Sequence, residues 1–195
     1  TTAAGMVAIT EKHLNDKFSQ NLNKSNVVIL GGTGPVGVAS AVICAKAGAS
    51  VTLVGRSLEK AEKIAGICND RYDSKNVKGG ADADKSDFFN VADIVLNTGA
   101  AGIQLMSEEH IKNSNTLKIC ADTNAVPPSG IAGVDVMDNG KVIDMSPSKC
   151  LGIGALAIGN IKYKSQHECL KLMYTSEKPV YLDFEDAFKF AQKSV

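Results

Sequence analysis

No excess of either charge marks this sequence, because 21 basic residues balance 21 acidic ones. No overall field draws such a protein to nucleic acid or to an anionic membrane surface, so any anion must be bound by a local site. No stretch approaches the roughly 20 apolar residues of a membrane span, and no charged segment precedes a short apolar core as in a signal peptide. We therefore expect a cytoplasmic globular protein without nucleic-acid or membrane partners.

Paired cysteines and clustered histidines are also missing. The five cysteines are odd in number, widely spaced and without a C-x-x-C pair, so we expect reduced thiols that lie mostly in the core. The three histidines lack the close spacing of a metal site, and we expect structural or surface roles for His13, His110 and His167. The sequence thus predicts no metal site.

Hydrophobic residues are abundant, at 44% of the chain, which suffices for a substantial core. Apolar runs predict strands at 26–30, 50–54, 91–96 and 116–121, with a short one at 76–78. Helical patterns lie between and around them, at 36–47, 58–68, 106–114, 152–174 and 183–193, and a first helix ends near the polar residues 21–25. This alternation predicts a doubly wound parallel sheet with helices on both faces.

A glycine-rich turn follows the first predicted strand and begins the small-residue helix after it. Its pattern is G-x-G-x-x-G, formed by Gly32, Thr33, Gly34, Pro35, Val36 and Gly37. In such a turn the first glycine permits the tight bend, the second lets a diphosphate approach the backbone, and the third lets the helix pack on the strand. The helix N-terminus then faces the phosphates. We predict a Rossmann-type dinucleotide site here, with a purely structural turn as the alternative.

The end of the second strand predicts which dinucleotide is bound. Enzymes that use NAD offer an acidic residue to the ribose about 20 residues after the glycines, but this sequence has Arg56 and Ser57 there, and Lys60 one helical turn on. Arginine forms strong, often bidentate bonds to phosphate. These residues predict NADP, whose ribose carries a 2′-phosphate. The alternative is that Arg56 and Lys60 are solvated charges at the start of a helix.

Two more segments follow strands and should reach the same edge of the sheet. The small residues after the fourth strand leave room for the ribose and the nicotinamide, and we predict cofactor contacts from Thr98, Gly99 and Ala100. The loop 122–130 follows the fifth strand, is stiffened by two prolines, and brings Asp122 and Asn124 towards the crevice. We predict Asn124 as a further cofactor residue.

No Ser-His-Asp or Cys-His set stands at an interpretable spacing, and no general base stands out. A hydride that leaves a carbon between two nitrogens needs no proton to be removed, because the nitrogens stabilise the resulting cation. Positioning of the two reacting carbons would then be the main contribution of the protein.

Several segments of the sequence resemble the NADP-dependent methylenetetrahydromethanopterin and methylenetetrahydrofolate dehydrogenases. The similar segments span nearly the whole chain: TTAAG at 1–5, GGTGPVG at 31–37, VGRSLEKA at 54–61, TGAAGIQL at 98–105, DTNAVPPSGIAGVD at 122–135 and GALAIGNIKYK at 154–164. The loop at 122–135 and the segment before Lys162 are more specific than the glycine motif alone.

The resemblance implies oxidation of a methylene-tetrahydropterin to its methenyl form, with hydride transfer to NADP. It also implies that residues 1–195 form the NADP-binding domain, that 1–20 and 152–195 are linking helices, and that a separate N-terminal substrate domain is missing from this chain. Thr2, near the nicotinamide, and Lys162, in the pterin region, are the implied catalytic residues, and a homo-oligomer is expected. The alternatives that stay open are a shikimate dehydrogenase-like NADP oxidoreductase domain, a bifunctional folate dehydrogenase/cyclohydrolase and a non-catalytic NADP-binding module.

Overall fold

A seven-stranded sheet forms the centre of the computed structural model, which describes residues 1–195. The strand order is β3-β2-β1-β4-β5-β7-β6, and every neighbouring pair is parallel except β6 with β7. The strands are β1 (Asn26–Leu30), β2 (Ser50–Gly55), β3 (Val77–Ala81), β4 (Ile94–Asn97), β5 (Ile119–Asp122), β6 (Asn139–Val142) and β7 (Leu151–Ile153). The predicted doubly wound, Rossmann-type fold is confirmed.

Helices cover both faces of this sheet. They are α1 (Thr2–Phe18), α2 (Pro35–Lys46), α3 (Leu58–Tyr72), α4 (Lys85–Phe89), α5 (Glu108–Asn113), α6 (Ala155–Thr175) and α7 (Phe184–Gln192), and the 3₁₀ turn Asp82–Asp84 precedes α4. None of these helices is both long enough and apolar enough to cross a membrane.

The two faces of the sheet have separate apolar cores. On one face, side chains of α1, α2, α3, α6 and α7 pack on the strands, with Met6, Val42 and Ile158 among the buried residues. On the other face, Phe89 of α4 and Ile111 of α5 pack with apolar side chains of the loops. All four residues of β4 and of β5 are buried, as expected for parallel strands covered on both sides.

The structure corrects the prediction at the end of the sheet. The helix predicted to begin at 152 begins at Ala155, because residues 151–153 form β7 and pair with β5. A three-residue strand gives no periodicity that a sequence pattern could reveal. The edge strand β6 was also missed and makes the sheet mixed rather than purely parallel, since its sequence NGKV is polar and almost wholly exposed.

The end of the first helix differs slightly from the prediction, whereas His13, His110 and the cysteines lie as the sequence predicted. The first helix ends at Phe18, where Ser19 takes a left-handed conformation, and so stops earlier than the polar residues predicted to end it. His110 caps α5, since its Nδ1 accepts a hydrogen bond from the Ser107 N–H at 3.0 Å. His13 bonds the side chain of Asn139. Four of the five cysteines are buried, Cys169 is half-buried, and all five are free thiols.

Candidate functional site

A crevice opens where the strand order reverses. The chain runs from β1 to β2 and β3 on one side, whereas β4 and β5 lie on the other side of β1, and ligands of open α/β sheets bind at the carboxyl ends of the strands at such a point. A cavity of about 450 Å³ lies there. Its lining residues lie at or after the carboxyl ends of β1, β2, β3 and β4: Gly31, Thr33, Gly34, Val54, Gly55, Arg56, Asp82, Thr98, Gly99, Ala100, Ile103 and Leu105.

The N-terminus of α2 faces this cavity with free backbone donors. Gly34 is the N-cap and provides no side-chain cap, and Pro35 at the first helical position has no N–H to satisfy. The N–H groups of Val36 and Gly37 donate to no acceptor in the chain. Free N–H groups at the positive end of a helix dipole form a site for an anion such as a diphosphate.

Two glycines of the turn differ in the space around them. A Cβ at Gly37 would lie 2.5 Å from the Cα and the carbonyl oxygen of Gly32, so the turn and the helix can pack only without a side chain there. Gly34 has φ −85° and ψ 168°, a backbone conformation that any residue adopts. A Cβ at Gly34 would meet no atom closer than the Gly31 carbonyl oxygen at 3.6 Å. The protein itself therefore leaves this space open, and a ligand can enter it.

A second, strongly basic cavity of about 320 Å³ adjoins the first. Only Thr33, Arg56, Ser57 and Lys60 line it, and the first cavity shares Thr33 and Arg56. Ser57 is also the N-cap of α3, because its Oγ accepts a hydrogen bond from the Lys60 N–H at 3.4 Å. The arginine and lysine form no ion pair within the chain. The structure thus brings the three residues predicted for a 2′-phosphate into one cavity.

The loop after β4 closes the other side of the main cavity. Thr98 is tied to β1, since its N–H and its hydroxyl both donate to the Leu30 carbonyl oxygen at 2.9 Å. Gly99 donates its N–H to the Asn97 Oδ1 at 3.0 Å. Together with Ala100, these residues line the cavity, and their contact with a cofactor stays a prediction.

A buried polar pair holds the loops after β4 and β5 together. Asn97 and Asp122 stand opposite each other in the two strands, and the Asn97 amide donates to the Asp122 Oδ1 at 2.7 Å. The Asp122 carboxylate also accepts from the N–H groups of Asn124 at 2.9 Å and Ile131 at 3.0 Å. Asp122 was expected to face the crevice, but it is buried and shapes the loops instead.

Asn124 also forms hydrogen bonds with the backbone of the loops. Its Oδ1 accepts hydrogen bonds from the N–H groups of Gly102 at 3.3 Å and Val126 at 2.9 Å, and its amide donates to the Pro128 carbonyl oxygen at 2.8 Å. The side chain is buried and does not line the cavity. A direct contact of Asn124 with a cofactor stays a prediction, and its observed bonds position the loops beside the cavity.

The two residues implied as catalytic lie apart from the cavity lining. Thr2 is in the first turn of α1, and half-buried Lys162 is in the second turn of α6. The two helices cross closely, since a Cβ at Gly5 would lie 2.8 Å from the Lys162 backbone nitrogen. Their catalytic roles stay predictions.

Sequence reasoning missed several residues at the cavity. Asp82 follows β3 and faces the same space as Arg56, but the segment before it, VKGGA, gave only a weak strand pattern. Ile103 and Leu105 add the apolar wall. A polar residue that directly follows a strand is a candidate site residue. This reasoning could have identified Asp82 only if the bounds of β3 had been assigned firmly.

Solved structures with similar folds include several dehydrogenases. Quinate dehydrogenase from Corynebacterium glutamicum has a TM-score of 0.57 and 15% identity, and the match covers 97% of this chain and 62% of that one. Shikimate dehydrogenase from Mycobacterium tuberculosis has a TM-score of 0.57 and 16% identity over 98% of this chain and 62% of that one. At these identities the likeness shows the fold alone.

Sequence comparison identifies two similar proteins. No family model matches the chain. It is 39% identical over 194 residues to the NAD(P)-dependent methylenetetrahydromethanopterin dehydrogenase of Methylorubrum extorquens, covering 98% of this chain and 65% of that protein. It is 35% identical over 196 residues to the bifunctional protein MdtA of the same organism, covering 99% of this chain and 65% of that protein. The chain thus spans 65% of the length of these relatives, and over that span its sequence is similar to the methylenetetrahydromethanopterin dehydrogenases.

Proposed function

We propose that this chain is the NADP-binding part of a dehydrogenase that transfers a hydride from the methylene carbon of a methylene-tetrahydropterin to NADP. The methenyl form is the product. The observation that carries the proposal is the junction of two cavities, one beside the free N–H groups of α2 and the other beside Arg56 and Lys60. The name of the 39% identical relative supports the choice of substrate.

Each part of the dinucleotide has matching residues in the crevice. The N–H groups of Val36 and Gly37 would hold the diphosphate, as helix N-termini do. Arg56, Ser57 and Lys60 would hold the 2′-phosphate through charge-assisted bonds. The small residues 98–100 leave room for the nicotinamide, and bound NADP would supply the hydride acceptor.

The reaction requires little acid–base catalysis from the residues of this chain. The carbon that loses the hydride stands between two nitrogens, which stabilise the resulting cation, so no proton need be removed. The only ionisable side chains that line the main cavity are Arg56 and Asp82. The residues of the crevice would thus act by binding and orientation, which supply much of the rate in such a transfer.

The function is tested with the full-length protein that contains this chain. With NADP and methylenetetrahydromethanopterin or methylenetetrahydrofolate, we expect NADPH to accumulate, measured by its absorbance. Turnover of shikimate or quinate instead would favour the shikimate dehydrogenase-like alternative. Binding of NADP without oxidation of either pterin would contradict the proposal and favour a non-catalytic module.

Lys162 is proposed to bind the pterin or its charged tail, because it lies in a segment that matches the family and is half-buried beside α1. In the full-length protein, Lys162→Ala should raise the KM for the pterin by roughly tenfold, the value of one partly exposed charge-assisted bond. The NADP affinity should stay nearly unchanged. Lys171→Ala, an exposed change in the same helix, is the control. Unaltered pterin kinetics in the Lys162 variant would show that this lysine is only a surface cation.

Three expectations from the sequence stay proposals. A cytoplasmic location and a homo-oligomeric state rest on composition and resemblance alone. The division into an NADP-binding domain, residues 1–195, and a separate substrate domain rests on the resemblance to longer proteins.

A further inference from the structure

One charged residue of the main cavity has no role in the proposed binding of the diphosphate, the 2′-phosphate or the nicotinamide. Asp82 follows β3 and begins the 3₁₀ turn, and it lines the cavity together with Arg56. Both of its carboxylate oxygens accept hydrogen bonds from the Lys85 Nζ, at 3.1 and 3.3 Å. An acidic side chain in a site for a ligand with several phosphates opposes binding unless its charge is balanced or it has a partner on that ligand.

The position of Asp82 in the sheet indicates which part of the ligand it meets. Neighbouring strands β1, β2 and β3 end in a row, at the glycine turn, at Arg56 and at Asp82 respectively. With the diphosphate at the turn and the phosphorylated ribose at Arg56, the base attached to that ribose would lie further along the same row. Asp82 would then stand beside the base rather than beside the phosphates.

The charged residues around the two cavities are consistent with this placement of the phosphates and the base along the edge of the sheet. The basic cavity contains no acidic residue, so Asp82 lies outside the lining of the proposed 2′-phosphate site. Lys85 balances the carboxylate, and the Asp82 side chain remains 40% exposed. A carboxylate has about four lone-pair sites and no proton to donate. With Lys85 occupying two of them, what Asp82 offers to the cavity is acceptor capacity for an N–H group.

We propose that Asp82 recognises the adenine base of the cofactor by accepting a hydrogen bond from its exocyclic N6 amino group, an inference that rests on the proposed function. This amino group is the hydrogen-bond donor on the edge of adenine, and the neighbouring ring nitrogens are acceptors. Hypoxanthine has a carbonyl oxygen in place of the amino group, so an acceptor would face the carboxylate. Asp82 would thus select adenine against hypoxanthine dinucleotides.

The test compares two dinucleotides by calorimetric titration of the 195-residue chain. The probes are NADP and its deamino analogue, nicotinamide hypoxanthine dinucleotide phosphate. The unmodified chain should bind NADP about tenfold more tightly, as one partly exposed charge-assisted bond gives. Asp82→Ala should bring the ratio close to one, chiefly by weakening NADP. Asp82→Asn should also narrow it, because its amide can donate to the hypoxanthine oxygen.

The matched control is Asp84→Ala, which removes an exposed carboxylate of the same 3₁₀ turn that does not line the cavity. It should leave the tenfold ratio unchanged. A ratio of one in the unmodified chain, or equal weakening of both probes by Asp82→Ala, would overturn the inference while leaving NADP binding established. Failure of the unmodified chain to bind either probe would overturn the proposed function and this inference with it.

Discussion

Replacing Gly34 by serine should leave the chain folded and reduce NADP binding by at least a hundredfold, about 2.7 kcal/mol. Serine is a favoured N-cap in the backbone conformation that Gly34 has, so the free energy of unfolding should stay the same or rise slightly. The added side chain, however, projects into the space that the chain leaves open beside α2, and its hydroxyl can cap the N–H groups that a diphosphate needs. Calorimetric titration and urea unfolding measure the two effects separately.

Two other glycines are controls for this result. Gly66→Ala in α3 introduces a methyl group with no atom within 4 Å and should change neither binding nor folding adversely. Gly37→Ala should lower stability as well as binding, because its Cβ would overlap the backbone of Gly32. Normal NADP affinity in the Gly34→Ser chain would show that no phosphate lies at the N-terminus of α2.

Arg56→Ala should weaken NADP binding by tenfold to a few hundredfold and leave NAD binding nearly unchanged. The 2′-phosphate gains bonds of roughly 1.5 to 3 kcal/mol each from charged partners, less what exposure and salt remove. NAD lacks this phosphate, so the loss should be confined to NADP. Titration of the variant with both dinucleotides measures the change directly.

Arg71→Ala is the matched control, since Arg71 is the other arginine of the chain. It lies in the last turn of α3 over the ring of Tyr72 and does not line either cavity. It should leave both affinities unchanged. Equal weakening of NAD and NADP by Arg56→Ala would mean that the guanidinium contacts a part common to both cofactors.

The parts of the site that depend on one short segment could be predicted from the sequence. The glycine turn lies between an apolar strand and a helix, and Arg56, Ser57 and Lys60 lie within five residues of one another. Because they are close in sequence, they must line the same cavity once the strand and helix on either side of them are known. The same holds for the small residues after β4.

The parts of the site that depend on contacts between residues distant in sequence could not be predicted from the sequence. Asn97 and Asp122 bond because β4 and β5 pair in one particular register, which no single segment specifies. The loop residue Asn124 was placed in the cofactor site on its polarity, but its amide bonds the backbone of the loops around it. Short strands such as β7 are fixed by their neighbours in the sheet rather than by their own sequence.

The most direct test of the account is the titration of the unmodified chain with NADP and with NAD at low and at raised ionic strength. We expect NADP to bind about tenfold to a few hundredfold more tightly, since about 1.4 kcal/mol corresponds to one decade of affinity. The preference should shrink as salt screens the exposed basic side chains. Equal affinity for the two cofactors would contradict the account, because Arg56 and Lys60 would then be solvated charges rather than a phosphate site.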